Sequence, residues 1–261
     1  MLRALLDHGV TPDLIVGTSV GALNGAMVAS DPSVDAVQRL AELWSSLSRS
    51  GVFSDSVIAQ VARLAAQRTH LHSTSALREL LADNFGDRRI EQLPVRFECV
   101  AASIERSVGH WFADGPLVDA VIASSSVPGL FPPAQVSTDR YGTEHFYDGG
   151  LVHSIPVGRA VTLGAQRIYV LHVGRIEHAL QPPRWPWQVG LVSFEIARRN
   201  RFVEEMQSLS TDVAVHVLPS GEPDSRTVNL RYRDVRRVSD RIDRGYEASA
   251  RYLDGALRDG P

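Results

Sequence analysis

Two short motifs carry side chains that could do chemistry: a serine between glycines, and an aspartate ahead of a glycine pair. The first, Gly17-Thr18-Ser19-Val20-Gly21, matches G-x-S-x-G. It follows a predicted buried strand and precedes a predicted helix of small residues, the strand–turn–helix setting in which such a serine acts as a nucleophile. The start of a helix also favours negative charge developing beside the serine. The competing interpretation is a glycine-rich turn with a capping serine.

A serine hydroxyl needs a base to take its proton near neutral pH. Asp148-Gly149-Gly150 ends a predicted strand, on the rim where sites of parallel sheets form. The glycine pair has no side chains that would block another residue from approaching Asp148, although an ordinary Asp-Gly turn has the same sequence. Histidine is the alternative base. The histidines that follow Asp148, in the order of a Ser–Asp–His triad, are His153, His172, His178 and His216.

Composition excludes several other classes of protein. The net charge of −3 gives no support for a nucleic-acid partner. All 27 basic residues are arginine, which excludes catalysis by lysine. Histidine and cysteine show no metal-like spacing beyond His70-x-His72, so we expect neither a metal nor a cofactor. The single cysteine, Cys99, lies in a predicted strand and is expected to be a buried structural thiol.

The apolar pattern predicts helices alternating with short strands. Helices are predicted at 1–9, 22–29, 34–46, 57–67, 74–84, 117–124, 157–163, 189–208 and 240–257. Strands are predicted at 13–16, 95–101, 110–112, 145–148, 167–172 and 213–218. Residues 126–133 hold three prolines and are predicted to be irregular. This order indicates an α/β sandwich with a mostly parallel central sheet, formed by one domain over residues 1–261.

Three blocks of sequence resemble the patatin-like phospholipase family. Residues 13–24 are very close to its nucleophile block, 123–133 to its loop before the acid, and 146–152 to its acid block. Pro156 matches a proline that usually follows, although His153 and Ser154 stand where the family often has other polar residues. The resemblance covers about residues 1–175 and is typical of the shorter bacterial members.

The resemblance implies a three-layer α/β/α fold and a Ser–Asp dyad without histidine. Ser19 would attack an ester carbonyl, and Asp148 would accept its proton and later help deliver water to the acyl-enzyme. Gly17, Val20, Gly21, Gly149 and Gly150 would support this site and its oxyanion. The substrates would be acyl esters of phospholipids, lysophospholipids or neutral lipids, and the base should have a raised pKa through partial burial.

The start of the sequence departs from the family pattern. Members open with a strand, a Gly-Gly-Gly-x-Arg-Gly oxyanion loop and a helix, whereas this sequence starts within that helix at Met1. Its only Gly-Gly pair is Gly149-Gly150, so no later segment replaces the loop. We therefore expect the natural protein to begin about 15–25 residues upstream. We also expect residues 1–261 alone to be nearly inactive and poorly soluble.

The remaining expectations concern partners and location. No apolar run is long enough for a transmembrane helix, and residues 1–10 do not read as a signal peptide. We expect a cytoplasmic protein with peripheral membrane contact through Pro182–Trp187 and the helix after it. Phe194, Phe202 and the nearby arginines Arg198, Arg199 and Arg201 are expected to extend that face. Two alternatives to a lipid acyl hydrolase stay open: a catalytically impaired lipid- or protein-binding homologue, and a His-triad esterase on another fold.

Overall fold

A computed structural model describes residues 1–50, 73–172, 180–183, 186–207, 213–221 and 238–256. In chain order its elements are α1 (Leu2–Asp7), β1 (Leu14–Gly17), α2 (Val20–Ser30), α3 (Val34–Ser50), α4 (Ser75–Phe85), β2 (Arg96–Ser103), β3 (Val108–Phe112), α5 (Leu117–Ser124), β4 (Ala134–Thr138), β5 (Gly142–Asp148), α6 (Val157–Thr162), β6 (Arg167–Val170), α7 (Pro186–Gln207), β7 (Ala214–Val217) and α8 (Val238–Ala256). Single turns of 3₁₀ helix occupy Ile90–Gln92 and Gly149–Leu151.

The α/β class predicted from the sequence is confirmed, and most predicted elements lie within a few residues of the observed ones. The irregular stretch 126–133 is confirmed, with only an isolated bridge between Pro128 and Phe131. The predicted helix at 57–67 lies outside the described residues. The helix predicted from 189 begins earlier, at Pro186. A proline suits a first helical turn, where its missing N–H would have no partner within the helix.

Strand order corrects the expectation of a mostly parallel sheet. In the described part of the chain, the larger sheet is mixed: β1 and β2 are parallel, whereas β2–β3, β2–β5 and β4–β5 are antiparallel. Only short turns join β2 to β3 and β4 to β5, and short connections permit antiparallel pairing alone. A second, two-stranded sheet pairs β6 and β7 in parallel.

Helices cover both faces of the larger sheet. On one face Ile15 packs against a core that contains Phe97 and residues of α2, α4 and α5. On the other face Leu14 and Val16 pack against a cluster from α6 and β6 that includes Val157 and Val170. These strand residues therefore alternate between two helical layers, as the three-layer expectation requires.

Cys99 is fully buried, as predicted, and lies in the centre of the sheet opposite Gly17 and Phe112. Burial raises the pKa of its thiol well above the ordinary value, which keeps it protonated and unreactive.

Candidate active site

The turn that carries the candidate nucleophile joins β1 to α2 and places Ser19 at the N-cap position of the helix. Ser19 has φ 56° and ψ −122°, a conformation that costs a non-glycine residue about 1–3 kcal/mol. Gly17 is required here, because a β-carbon on it would collide with the backbone of Gly21 and Ala22. Gly21 itself has open space around its α-carbon, so a β-carbon there would meet no neighbour.

The candidate base lies at the last residue of β5. Asp148 is fully buried, and its Oδ1 accepts a hydrogen bond from the Gly150 N–H at 2.7 Å. Its Oδ2 is also buried and has no hydrogen-bond partner of good geometry among the described residues. The two following glycines are both sterically required. A β-carbon on Gly149 would collide with the carbonyl of Val100, and one on Gly150 would press on the Phe194 ring.

Strand pairing brings these two residues together. Cys99 of β2 pairs with Gly17 on one side and Phe112 on the other. Ala101 likewise pairs with Asp148 and with a residue of β3. Strands β1 and β5 therefore share the edge of β2 opposite β3, and their C-terminal ends converge on it. The Ser19 side chain lies close enough to the Asp148 carboxyl group to lower its pKa.

The environment of Asp148 raises its pKa from 3.8 to about 6. Burial is the dominant cause, because a buried carboxylate loses its hydration. The interaction with Ser19, the Gly150 N–H and the charge of Arg198 act in the opposite direction, and Glu195 raises the pKa slightly. A carboxyl group with this pKa is mostly ionised at pH 7 and basic enough to accept a proton, which suits general-base catalysis.

Serines at the end of α5 and in the turn after it contact the backbones of both Ser19 and Asp148. The Ser124 hydroxyl accepts a hydrogen bond from the Ser19 N–H at 3.0 Å. The Ser126 carbonyl accepts one from the Asp148 N–H at 2.9 Å. A third bond runs from the Thr18 hydroxyl to the carbonyl of His153 at 2.9 Å. The sequence motif includes these serines but gives them no role, because such contacts depend on the strand register.

Helix α7 packs against the site, which differs from the lipid-facing role expected for Phe194 and its arginine neighbours. Phe194 is buried against Gly150. Arg198 is 19% exposed, forms an ion pair with Glu195 at 3.0 Å, and donates to the Ser154 hydroxyl at 3.4 Å. The expectation that Phe194 and Arg198 extend an exposed face was therefore wrong.

Two of the histidines considered as alternative bases, His153 and His216, have other partners, whereas His178 lies outside the described residues. His153 contacts Glu205 at 2.6 Å and packs on Trp111. His216 stacks on Tyr169, in the smaller sheet. None of the contacts described for these two rings involves Ser19 or Asp148.

The fold thus places a strained serine and a buried aspartate at the converging ends of two strands of a mixed sheet. The chain belongs to the patatin-like phospholipase family, whose model, described as "Patatin-like phospholipase", matches residues 1–161.

Three animal relatives illustrate the similarity over 174 residues, or 67% of this chain. Identity is 30% to patatin-like phospholipase domain-containing protein 7 of Mus musculus. It is 29% to patatin-like phospholipase domain-containing protein 6 of Homo sapiens and to the neuropathy target esterase sws of Drosophila melanogaster. The matched part makes up 12% of each relative, so the chain spans a small fraction of their length.

No helix in the described ranges is both long enough and apolar enough to cross a membrane. Within the same ranges, no group of three His, Cys, Asp or Glu side chains is placed to bind a metal ion.

Proposed function

We propose that this chain is a serine lipid acyl hydrolase in which Ser19 is the nucleophile and Asp148 the only base. The observation that carries the proposal is the convergence of the C-terminal ends of β1 and β5 on one edge of β2, with Ser19 in the turn after β1 and the fully buried Asp148 at the end of β5. Family membership supports the same chemistry, since the relatives are named as phospholipase-domain proteins and, in one case, an esterase.

The first half of the reaction forms an acyl-enzyme. Asp148 takes the proton of the Ser19 hydroxyl while Oγ bonds to the carbonyl carbon of the ester, which gives a tetrahedral oxyanion. The carbon–oxygen bond to the alcohol then breaks, and the alcohol leaves with the proton held by Asp148. The second half repeats these steps with water as the nucleophile, which releases the fatty acid and restores the Ser19 hydroxyl.

The oxyanion needs N–H donors that already point towards it. Within the described turn, the amides of Ser19, Gly21 and Ala22 have acceptors, in Ser124, Thr18 and Ser19 respectively. No contact described for the turn gives the Val20 amide an acceptor, which leaves it available as a donor. Gly17 keeps the turn around this amide compact, because a β-carbon there would collide with the backbone of Gly21 and Ala22.

We further propose that the substrates are acyl esters of membrane or neutral lipids, reached by peripheral contact with a lipid surface. Along α7, Val189, Ile196 and Val203 are each about half exposed. A spacing of seven residues places all three on one side of the helix. Because α7 also packs against Gly150 through Phe194, the same helix would link the lipid surface to the site.

Covalent labelling with a fluorophosphonate tests the proposal directly. Mass spectrometry should find the label on Ser19 in the parent protein, and Ser19→Ala should show none. Asp148→Asn should label at least about a hundredfold more slowly, since general-base catalysis typically contributes 10²–10⁴-fold. Ser249→Ala is the control, because Ser249 is fully buried and its hydroxyl bonds to the carbonyl of Pro219.

The rate of hydrolysis of a short nitrophenyl ester is a second, kinetic test of the same variants. Ser19→Ala should keep less than a tenth of the parent activity. A parent protein that neither labels nor turns over, while remaining folded, would favour the lipid- or protein-binding homologue. Activity that survives in Asp148→Asn but is lost in His153→Ala would favour a histidine base.

A further inference from the structure

The end of α5 and the turn that follows connect the two candidate catalytic residues through buried groups. Ser124 is fully buried and accepts the Ser19 N–H at 3.0 Å. Two residues later, the Ser126 carbonyl accepts the Asp148 N–H at 2.9 Å. The Ser126 hydroxyl in turn donates to the Ile122 carbonyl at 2.8 Å, which ties this turn to α5. One short segment therefore contacts both the nucleophile and the acid.

The hydrogen bond between Ser124 and the Ser19 N–H satisfies two structural requirements of the turn that carries Ser19. The first is a backbone with φ 56°, which persists only where the surroundings fix it. The second is an acceptor for the Ser19 N–H, because the first amides of a helix have no partner within the helix itself. The Ser124 hydroxyl is the described group that meets both needs. It comes from another element, 105 residues away in sequence, so the contact forms only when α5 docks on the sheet.

We infer that Ser124 is a positioning residue for the nucleophile, an inference that rests on the proposed role of Ser19. Its hydroxyl holds the Ser19 backbone in the strained turn, which keeps Oγ directed at Asp148. It also accepts the hydrogen bond of the Ser19 N–H, so that the neighbouring Val20 N–H is the amide of the turn that remains to donate to the oxyanion. Ser124 does not touch the substrate and exchanges no proton with it.

A purely structural role would have a different signature. If Ser124 only filled the core, its replacement by alanine would lower stability and leave the turn and the kinetics of the folded protein unchanged. If it positions Ser19, the Ser19 amide should lose protection from solvent, and kcat should fall more than KM rises. The acid limb of the pH profile should stay in place, because the surroundings of Asp148 are unaltered.

The experiment compares Ser124→Ala, Ser124→Cys and Ser249→Ala with the parent protein by two independent measurements. Amide hydrogen exchange at Ser19, followed by NMR, should be about tenfold faster or more in Ser124→Ala, as expected when a single hydrogen bond is lost. The rate of fluorophosphonate labelling should fall about tenfold to a hundredfold. Ser124→Cys keeps a weak acceptor and a similar shape, so it should fall between the parent and Ser124→Ala, and it replaces the alanine variant if that does not fold. Ser249→Ala should match the parent in both measurements.

Unchanged Ser19 exchange in folded Ser124→Ala would overturn the inference. So would faster exchange with unchanged labelling, because the contact would then exist without directing the nucleophile. A parent protein that does not react with the fluorophosphonate contradicts the hydrolase proposal instead. In that case the exchange result still confirms or rejects the hold of Ser124 on the turn.

Discussion

Gly17 and Asp148 face positions of β2 that are two residues apart, Cys99 and Ala101, on the same edge of that strand. Gly17 ends β1, which is parallel to β2, and Asp148 ends β5, which is antiparallel to β2. The two strands therefore run towards each other along this edge, and the turn that carries Ser19 lies between their ends. A serine and a carboxylate 129 positions apart in sequence thus meet at the interruption of one sheet edge.

The raised pKa of Asp148 predicts how activity depends on pH. As a base the carboxyl group must be ionised, so kcat/KM should rise with pH and level off above about 6. Below that value it should fall about tenfold for each pH unit. A profile measured with an uncharged nitrophenyl ester from pH 4.5 to 8.5 tests this. A limb near pH 4 would show that the carboxyl is not desolvated in the working enzyme.

The charge of Arg198 gives a second prediction on the same profile. This guanidinium lowers the pKa of Asp148, while Glu195 raises it. Replacing Arg198 by glutamine removes the lowering effect and leaves the raising one, so the limb should move to higher pH. Arg201→Gln is the matched control on α7, because Arg201 is exposed and pairs with Glu204. An unmoved limb in Arg198→Gln, or an equal movement in the control, would contradict this account.

Burying Asp148 should also cost stability. Its folded pKa of about 6 lies above the ordinary aspartate value of 3.8, so the folded state binds the proton more tightly. The group therefore favours folding below pH 4, and this contribution is lost as pH rises through 6. Asp148→Asn, which can still accept from the Gly150 N–H, should raise the free energy of unfolding at pH 7.5 by about 2 kcal/mol.

Urea denaturation of Asp148→Asn and the parent at several pH values measures that difference. The gain should shrink between pH 6 and pH 4, where the parent carboxyl becomes protonated. A variant that is less stable than the parent at pH 7.5 would mean that the ionised carboxylate is paired rather than desolvated.

The glycine after the acid should tolerate no side chain. A β-carbon on Gly149 would collide with the Val100 backbone, which cannot move without disturbing β2. Gly149→Ala should cost about 2 kcal/mol or more, near the upper range for overpacked sites. Gly158→Ala is the control, because Gly158 lies in α6 with open space around it and should change by no more than about 1 kcal/mol, towards higher stability. Equal unfolding midpoints for the two variants would refute the steric argument.

The features that depend on local sequence, such as most helices and strands, could be predicted from local patterns. The features that were missed depend mainly on the pairing of segments far apart in the sequence. The candidate elbow and the candidate acid were predicted because glycines and apolar runs surround Ser19 and Asp148 in the sequence. Strand β4 was not predicted, because its buried residues, such as Val136, alternate with polar ones over only five positions. The antiparallel pairing of β2 with β5 and the hydrogen bond from the Ser19 N–H to the Ser124 hydroxyl both depend on contacts between segments far apart in the sequence. No single window of sequence contains these contacts.

The exposed stripe on α7 carries the last prediction. Ile196 and Val203 are 57% and 46% exposed, on a helix whose other side packs against the candidate site through Phe194. Apolar side chains in this position suit insertion into a lipid surface, where each fully buried one contributes about 1.5–3 kcal/mol. Ile196→Glu plus Val203→Glu should therefore lower co-sedimentation with phosphatidylcholine–phosphatidylglycerol liposomes by at least about tenfold. Trp185→Ala plus Trp187→Ala should act in the same direction.

The control for this surface is Ile242→Glu, because Ile242 is 39% exposed and lies on α8 rather than α7. It should bind liposomes as the parent does. Hydrolysis of a short, water-soluble ester should be nearly unchanged in all these variants, since the site itself is untouched, whereas hydrolysis of phospholipid in liposomes should fall together with binding. Loss of liposome binding in Ile242→Glu as well would point to a nonspecific charge effect. Unchanged binding in the α7 variants would show that this stripe does not contact the lipid.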